Sequence, residues 1–390
     1  MLLKHWMLLS LLYALTLAQK HPKVGFYWKS GINYTWPSYE VYQQADKDGS
    51  YVPLYNCLTN IRFWKDNAYL TIPRWTGGVA VTLATIPTTS INGNKAPLLR
   101  PYPNWEMQKM GGDCSSFQSV WFIEIDPMGR MWLMDNGWGY YNTTTDKVIT
   151  CPPRLMILDL ENGGEVLLNY SLPPNVAKPG SSVFCKILLD HEDGGFAYIY
   201  DCDEEDKSNA GLIIFSLQKL TSWRIEYDFK IKELMLSPAD TEGSRVLYIV
   251  SSLEGNKVLG VPTRVLRSPS LASSIDGEAR ELSKTPFTWS DATTSNTGTV
   301  FFTVENSLSV YKWDLNSPRS NVTELDIKWT EDPNNLASLA LDGGNLWAIN
   351  IIIPEFQSIV LAETKNMVNY QYYGNGGVPK LPFITLKRGI

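Results

Sequence analysis

The sequence predicts an all-β chain folded as a six-bladed β-propeller with a central channel. Three observations predict it. A strand-like window with an aromatic residue at a fixed place recurs six times along the chain. Most of these windows follow an acidic or polar turn that ends in glycine or a small residue. Almost no capped helical period of twelve or more residues interrupts them.

In chain order the windows are "AYLTI" at Tyr69, "MWLMD" at Trp132, "AYIYD" at Tyr198, "LYIVS" at Tyr248, "VFFTV" at Phe301 and "LWAIN" at Trp347. Their intervals are 63, 66, 50, 53 and 46 residues. The turns "DPMGR", "HEDGG", "DTEGS", "SNTGT" and "LDGGN" precede the last five. Glycine supplies the positive φ that a tight hairpin needs, so each unit reads as strand, turn, strand. Further strands flank them: "SVWFIEI" before a turn, and "RLMILDL", "LIIFSL" and "SVYKWDL" after the windows, all rich in β-branched and aromatic residues. Three or four short strands per unit of about fifty residues, repeated radially, bury a shared core and leave only short edges. A pair of β-sandwiches is also all-β but does not explain six matched aromatics. The long first intervals and the proline-laden segment from Thr85 to Asp113 imply extended loops held down by other contacts.

Three residues beyond each aromatic stands Ile72, Asp135, Asp201, Ser251, Val304 or Asn350. Alternation puts this position on the face opposite the aromatic, near one strand end. Around a propeller axis such positions converge, so Asp135, Asp201, Ser251 and Asn350 are candidates for one polar mouth drawn from four blades. Asp and Asn also end strands simply by bonding the next turn's backbone, and for any single residue that is the commoner role. Trp138, Tyr140 and Tyr141 are candidate aromatic walls, and acid plus aromatic is the chemistry that holds an organic ammonium.

The 390 residues are 44% hydrophobic and 19% charged, enough to bury a large core. Lys4 followed by an apolar run from Trp6 to Leu17 reads as a secretory signal over residues 1–18, leaving residues 19–390 as a single domain. The run is too short to span a bilayer, so no membrane anchoring is expected. Sequons at Asn33, Asn142, Asn169 and Asn321 agree with a secreted, extracellular glycoprotein. Removing residues 1–18 leaves 33 basic against 40 acidic residues, a formal charge of −7. Such a surface favours cationic partners over nucleic acid.

Five cysteines in an oxidising compartment suggest two disulfides and one remainder. The expected pairs are Cys114 with Cys151 and Cys185 with Cys202, leaving Cys57. The first crosslink contributes about 3–4 kcal/mol through the unfolded state if unstrained. No zinc-type cysteine spacing, no G-x-S-x-G elbow, no H-E-x-x-H helix and no phosphate-cradling loop occurs. Only His21 and His191 remain beyond residue 18, and neither sits beside an obvious nucleophile, which disfavours Ser–His–Asp hydrolysis. No cofactor or resident metal is expected, although Asp135, Asp201 and Asn350 carry the hard oxygens that calcium takes. Nothing in the sequence sets an oligomeric state.

"IPRWTGGVAVTL" (72–83), "GDC" (112–114), "EIDPMGRMWLMDNG" (124–137), "CPPRLMILDL" (151–160), "FAYIYD" (196–201), "GLIIF" (211–215) and "GNLWAIN" (344–350) occur in this order. Together they resemble the yellow and major royal jelly protein family of secreted insect-type proteins, from about Trp36 to beyond Asn350. The resemblance implies a six-bladed propeller, in agreement with the repeat count. It also implies one of several functions: binding serotonin, dopamine, histamine or a related amine in the central channel, converting dopachrome during melanin formation, or a structural or nutritive role. Carried over residue by residue, the amine site falls on Asn350, on Asn335, where members often have Ser or Thr, and on Ile352, where they have an aromatic. The leading expectation is a non-enzymatic binder of a small cationic amine, with Asn350 and Asn335 bonding the ammonium, the backbone carbonyl of Ile352 accepting, and Asp135 or Asp201 adding field. The alternative is a dopachrome-converting enzyme in which Asp135 or Asp201 serves as base.

Overall fold

A computed structural model describes residues 23–387 except 29–30, 89–93, 95, 112–113, 141–146, 192–193, 203–209, 226–230, 252–255, 273–274, 305–306, 308, 318–321, 326–335, 343–344 and 351–380. The signal-peptide expectation and the sequons at Asn142 and Asn321 lie outside the described residues, as do His21, Tyr141, Asn335 and Ile352.

Among the described residues the strands form six four-stranded sheets and one two-stranded ribbon. Numbered along the chain, the sheets begin at innermost strands Asn60–Trp64, Val120–Ile125, Phe184–Asp190, Ile231–Leu236, Trp289–Thr294 and Leu336–Asp342. These innermost strands touch in cyclic order, blade 1 to blade 6 and back to blade 1, which makes the assembly a closed β-propeller. Blade 6 is completed from both ends of the chain. Strand Lys23–Trp28 pairs antiparallel with Leu381–Lys387, which pairs with Asn345–Asn350. Closure in this way ties the ends of the described chain into one sheet.

Each recurring aromatic is the third residue of its blade's second strand, as Tyr69 is in Asn67–Thr71 and Trp347 is in Asn345–Asn350. The aromatics pack between blades: Trp132 lies 6.3 Å from Phe215 of blade 3, Tyr248 6.0 Å from Trp313 of blade 5, and Trp347 4.9 Å from Phe63 of blade 1. The first two contacts are edge-to-face and the third is tilted, and such ring contacts add to the burial of large rings. The repeated letter is therefore the inter-blade spacer.

The proline-laden segment contributes two outer strands of blade 1, Leu83–Pro87 and Arg100–Pro101. Among the described residues three four-residue helices lie between residues 263 and 278, and the longest helix, Tyr39–Asp48, precedes blade 1, with Ser38 Oγ accepting the Val41 N–H at 3.3 Å and Gly49 closing it at φ 75°. Its local caps specify it where hydrophobic periodicity is weak. No helix among the described residues is long and apolar enough to cross a membrane. Both expected disulfides form, Cys114–Cys151 and Cys185–Cys202, while Cys57 is a buried thiol. Such usage fits an oxidising compartment.

Candidate functional site

The second strands all finish at one end of the propeller. Asp135 pairs with Val120, Asp201 with Phe184, Ser251 with Ile231, Val304 with Trp289 and Asn350 with Leu336, each opposite the first residue of its blade's innermost strand. The column read from sequence is thus a ring of strand ends at one end of the propeller, in which Asp135, Asp201 and Ser251 are buried.

Within that ring, two members serve their own blades. Asp135 is fully buried; Oδ2 accepts the Gln118 N–H at 2.9 Å, and Oδ1 accepts those of Ser119 and Gly137 at 2.8 and 3.1 Å. Arg154 donates to the same carboxylate and to the carbonyls of Cys114 and Ser116. Asp201 repeats the arrangement, accepting from Ser182 Oγ at 2.6 Å, the Val183 N–H at 3.0 Å and Arg224 Nη1 at 2.9 Å. Both oxygens of each carboxylate are taken. This corrects the expectation that Asp135 and Asp201 lend field, a base or calcium ligands to the pore: backbone N–H groups at the entry to an innermost strand claim them first. Trp138, expected as a ligand wall, is also buried, with Nε1 donating to the Ser182 carbonyl at 3.2 Å. Asn350 closes its strand at the mouth, and its side chain lies outside the described residues.

A polar ring that the sequence reading missed lies one step inward. In blades 2 to 6 the innermost strand carries a register irregularity directly after its first pair. A β-bulge re-aims the residue that follows it. That residue is Phe122, Lys186, Glu233, Asp291 or Ser338, and Asn60 takes the equivalent register in blade 1.

These side chains bond across blades. Lys186 Nζ donates to Glu233 Oε1 at 2.9 Å and to Asp291 Oδ1 at 2.8 Å, and also to the Ala292 carbonyl at 2.7 Å. Asp291 Oδ2 accepts the Leu339 N–H of blade 6 at 2.5 Å. Asn60 Nδ2 donates to Ser338 Oγ at 3.4 Å, and Asn60 Oδ1 accepts the Ile123 N–H of blade 2 at 3.2 Å. Arg62 and Glu124, from blades 1 and 2, add an ion pair at 2.8 Å. Lys186, Glu233 and Asp291 are 3–4% exposed. Only the axis brings three blades within bonding distance of one ammonium.

Electrostatics follow from burial. Desolvation pushes the Glu233 carboxyl up to about 7, more than the neighbouring Lys186 ammonium lowers it, and Asp291 adds to the rise. Burial opposes the charge on Lys186, but Asp291 and then Glu233 outweigh it and raise its pKa. One cation faces two carboxylates, so the triad is short of positive charge once Glu233 ionises. A carboxyl titrating near neutrality at a convergence of blades has the character of a functional group.

The mouth also carries aromatics. Trp121 is the residue passed over by the blade 2 irregularity; it lies half-buried, 5.4 Å from Trp75 and 6.3 Å from Trp138. Beside it, a separate cavity of about 340 Å³ is lined by Trp36, Val41, Arg74, Trp105, Glu106 and Tyr140 among others, with no innermost-strand residue in its wall. Arg74 there is saturated by backbone carbonyls, including those of Val79, Phe117 and Gln108.

The axial ring escaped sequence reading because turn lengths differ, so Asn60, Lys186, Glu233, Asp291 and Ser338 stand at unequal distances from the aromatic column. Charged residues inside largely apolar strands, Lys186 in "FCKILLD" and Glu233 beside Lys232 in "IKELML", were the available signal.

A dopaminechrome tautomerase of Drosophila melanogaster is 30% identical over 215 residues, covering 53% of this chain and 43% of that protein. The protein yellow of Drosophila yakuba is 28% identical over 292 residues, covering 68% of this chain and 52% of that one. The chain thus spans about half the length of these relatives. Among solved structures, a calcium-binding regucalcin of Agrobacterium tumefaciens superposes with a TM-score of 0.48 at 12% identity, covering 85% of this chain and 90% of its own. The family model described as major royal jelly protein matches residues 118–376, and the chain belongs to that family.

Proposed function

We propose that the protein is secreted and binds a small aromatic amine at the mouth of the propeller axis, its ammonium directed at the Glu233–Asp291 side of the axial triad. The carrying observation is the three-blade cluster of Lys186, Glu233 and Asp291 beneath a ring of strand ends that includes Asn350. One ammonium against two carboxylates favours a further cation, and low dielectric strengthens that attraction. Trp121 and Trp75 offer ring faces of the kind missing at Ile352. Asn350, with Asn335 and the Ile352 carbonyl, supplies the hydrogen bonds. Isothermal titration with serotonin, dopamine and histamine tests this: one molecule binds per chain, and Glu233→Gln or Asn350→Ala weakens it at least tenfold. Absence of heat with every amine, at concentrations up to millimolar, rejects the reading.

A second reading has a specific observation in its favour. Glu233 titrates near neutrality, where a general base transfers protons best, and a relative carries the name dopaminechrome tautomerase. In this reading Glu233 accepts the proton that leaves the aminochrome ring and returns a proton to the carbonyl oxygen. Dopaminechrome then loses its absorbance faster than in buffer, and Glu233→Gln removes the acceleration without abolishing amine binding.

A further inference from the structure

A propeller abolishes most sheet edges but leaves one outermost strand per blade. Among the described residues, five of the six are short, charged or partly covered. Blades 1 and 5 end in two-residue strands, Arg100–Pro101 and Thr323–Glu324, the first carrying a proline. Blade 4 ends in the charged strand Arg280–Lys284. In blade 3, strand Thr221–Ile225 is half covered, with Trp223 Nε1 donating to the Leu266 carbonyl at 3.1 Å. In blade 6, Phe26 and Trp28 of the outermost strand are buried, and Trp28 Nε1 donates to the Pro97 carbonyl at 2.9 Å.

Blade 2 is guarded less: among the described residues its outer strand is neither short nor proline-bearing, and it has a register irregularity at Leu167 and a hydrogen bond between the Tyr170 hydroxyl and Ser222 Oγ of blade 3 at 3.1 Å. Its outermost strand, Glu165–Ser171, is seven residues long, contains no proline and bears its single charge at its first position. Val166 and Leu167 are 40% and 50% exposed. A long edge with exposed apolar residues and a single charge at its start invites pairing with another chain. The same strand carries the sequon Asn169-Tyr170-Ser171, with Asn169 and Ser171 both exposed. Asn33 differs: it is half-buried, and its Oδ1 accepts from the Tyr34 N–H at 2.7 Å and Trp36 Nε1 at 2.9 Å.

We propose that Asn169 carries an N-linked oligosaccharide that keeps the outer edge of blade 2 from pairing with a second copy of the chain. During secretion the Asn169 amide nitrogen attacks the anomeric carbon of a lipid-diphosphate-linked oligosaccharide. The carbon–nitrogen bond forms as the carbon–oxygen bond to diphosphate breaks; the amide loses one proton and the lipid diphosphate leaves. The glycan then stands beside Leu167, two residues away, where the edge would accept a strand. Bulk and hydration do here what proline and charge do on the other blades.

The test uses the full chain secreted from a eukaryotic host. Peptide mass spectrometry should find Asn169 glycosylated, and the intact protein should run as a monomer by light scattering. Ser171→Ala, which removes the acceptor site without adding a charge, should raise the mass to a dimer or larger at about 50 µM, well above the Kd of a micromolar interface. Leu167→Lys in the unglycosylated protein should restore the monomer by placing a charge on the edge. An unmodified Asn169, or a glycan-free protein that stays monomeric, overturns the proposal.

Discussion

Lys186 on blade 3 bonds Asp291 on blade 5 at 2.8 Å, passing over the blade between them, whose Glu233 it also meets at 2.9 Å. Blades fan outward, so a contact that skips a neighbour exists only where innermost strands crowd the axis. The innermost strands are therefore linked by a hydrogen-bonded belt: blade 2 to 1 to 6 through Asn60, blade 6 to 5 through Asp291, and blades 5, 3 and 4 through Lys186. The belt both fastens the ring and gives its mouth an acidic floor.

Replacing Lys186 with methionine leaves two buried carboxylates without their cation. Unpairing a buried charge costs about 3–5 kcal/mol. Urea unfolding should show a loss of that size, with much of it recovered in Lys186→Met combined with Glu233→Gln and Asp291→Asn. A loss below about 1 kcal/mol would mean the belt adds little to the fold.

The Glu233 carboxyl should make both stability and binding depend on pH. Its pKa rises from 4.5 to about 7 on folding. Between those values the native state holds a proton that the unfolded state has released, so stability falls as pH rises through that window. The slope reaches at most about 1.4 kcal/mol per pH unit. Glu233→Gln should flatten it. Amine affinity should move the other way, strengthening as pH passes 7 and Glu233 ionises, which titrations at pH 5.5, 7 and 8.5 would resolve.

Arg154 and Asp135 are both buried, and the pair ties the loop around Cys114 to the entry of blade 2. Arg154→Met should destabilise the protein by about 3–5 kcal/mol through the stranded carboxylate. Asp135→Asn with Arg154→Met should be milder than the sum of the singles, because the two share one interaction. Additive losses in a double-mutant cycle would argue against coupling.

Gly137, just past Asp135, has φ 76°, and a Cβ built there would stand 2.2 Å from the Cys151 carbonyl oxygen. Gly137→Ala should cost at least about 2 kcal/mol, since the left-handed backbone alone costs about 1–2. A thermal midpoint unchanged from the parent would show that this turn relaxes freely.

Much of the frame was legible in the sequence. The aromatic column found the second strand of every blade because each ring does the same inter-blade job, so the residue type repeats with the geometry. The two expected disulfides form, although cysteine spacing alone does not set a pairing. The candidate site was less so. Asp135 and Asp201 looked like pore ligands, yet the strand-ending role common to acidic residues describes them.

By itself the sequence determined which residues form strands, how many blades there are and which end of each second strand faces the mouth, because local alternation and turn chemistry act over a few neighbours. Only the tertiary structure decided which polar groups meet. Asn60, Lys186, Glu233, Asp291 and Ser338 come from five different blades, the last four from strands whose register shifts by one residue at a bulge. Their encounter depends on ring closure, which brings innermost strands together at a distance no sequence spacing encodes.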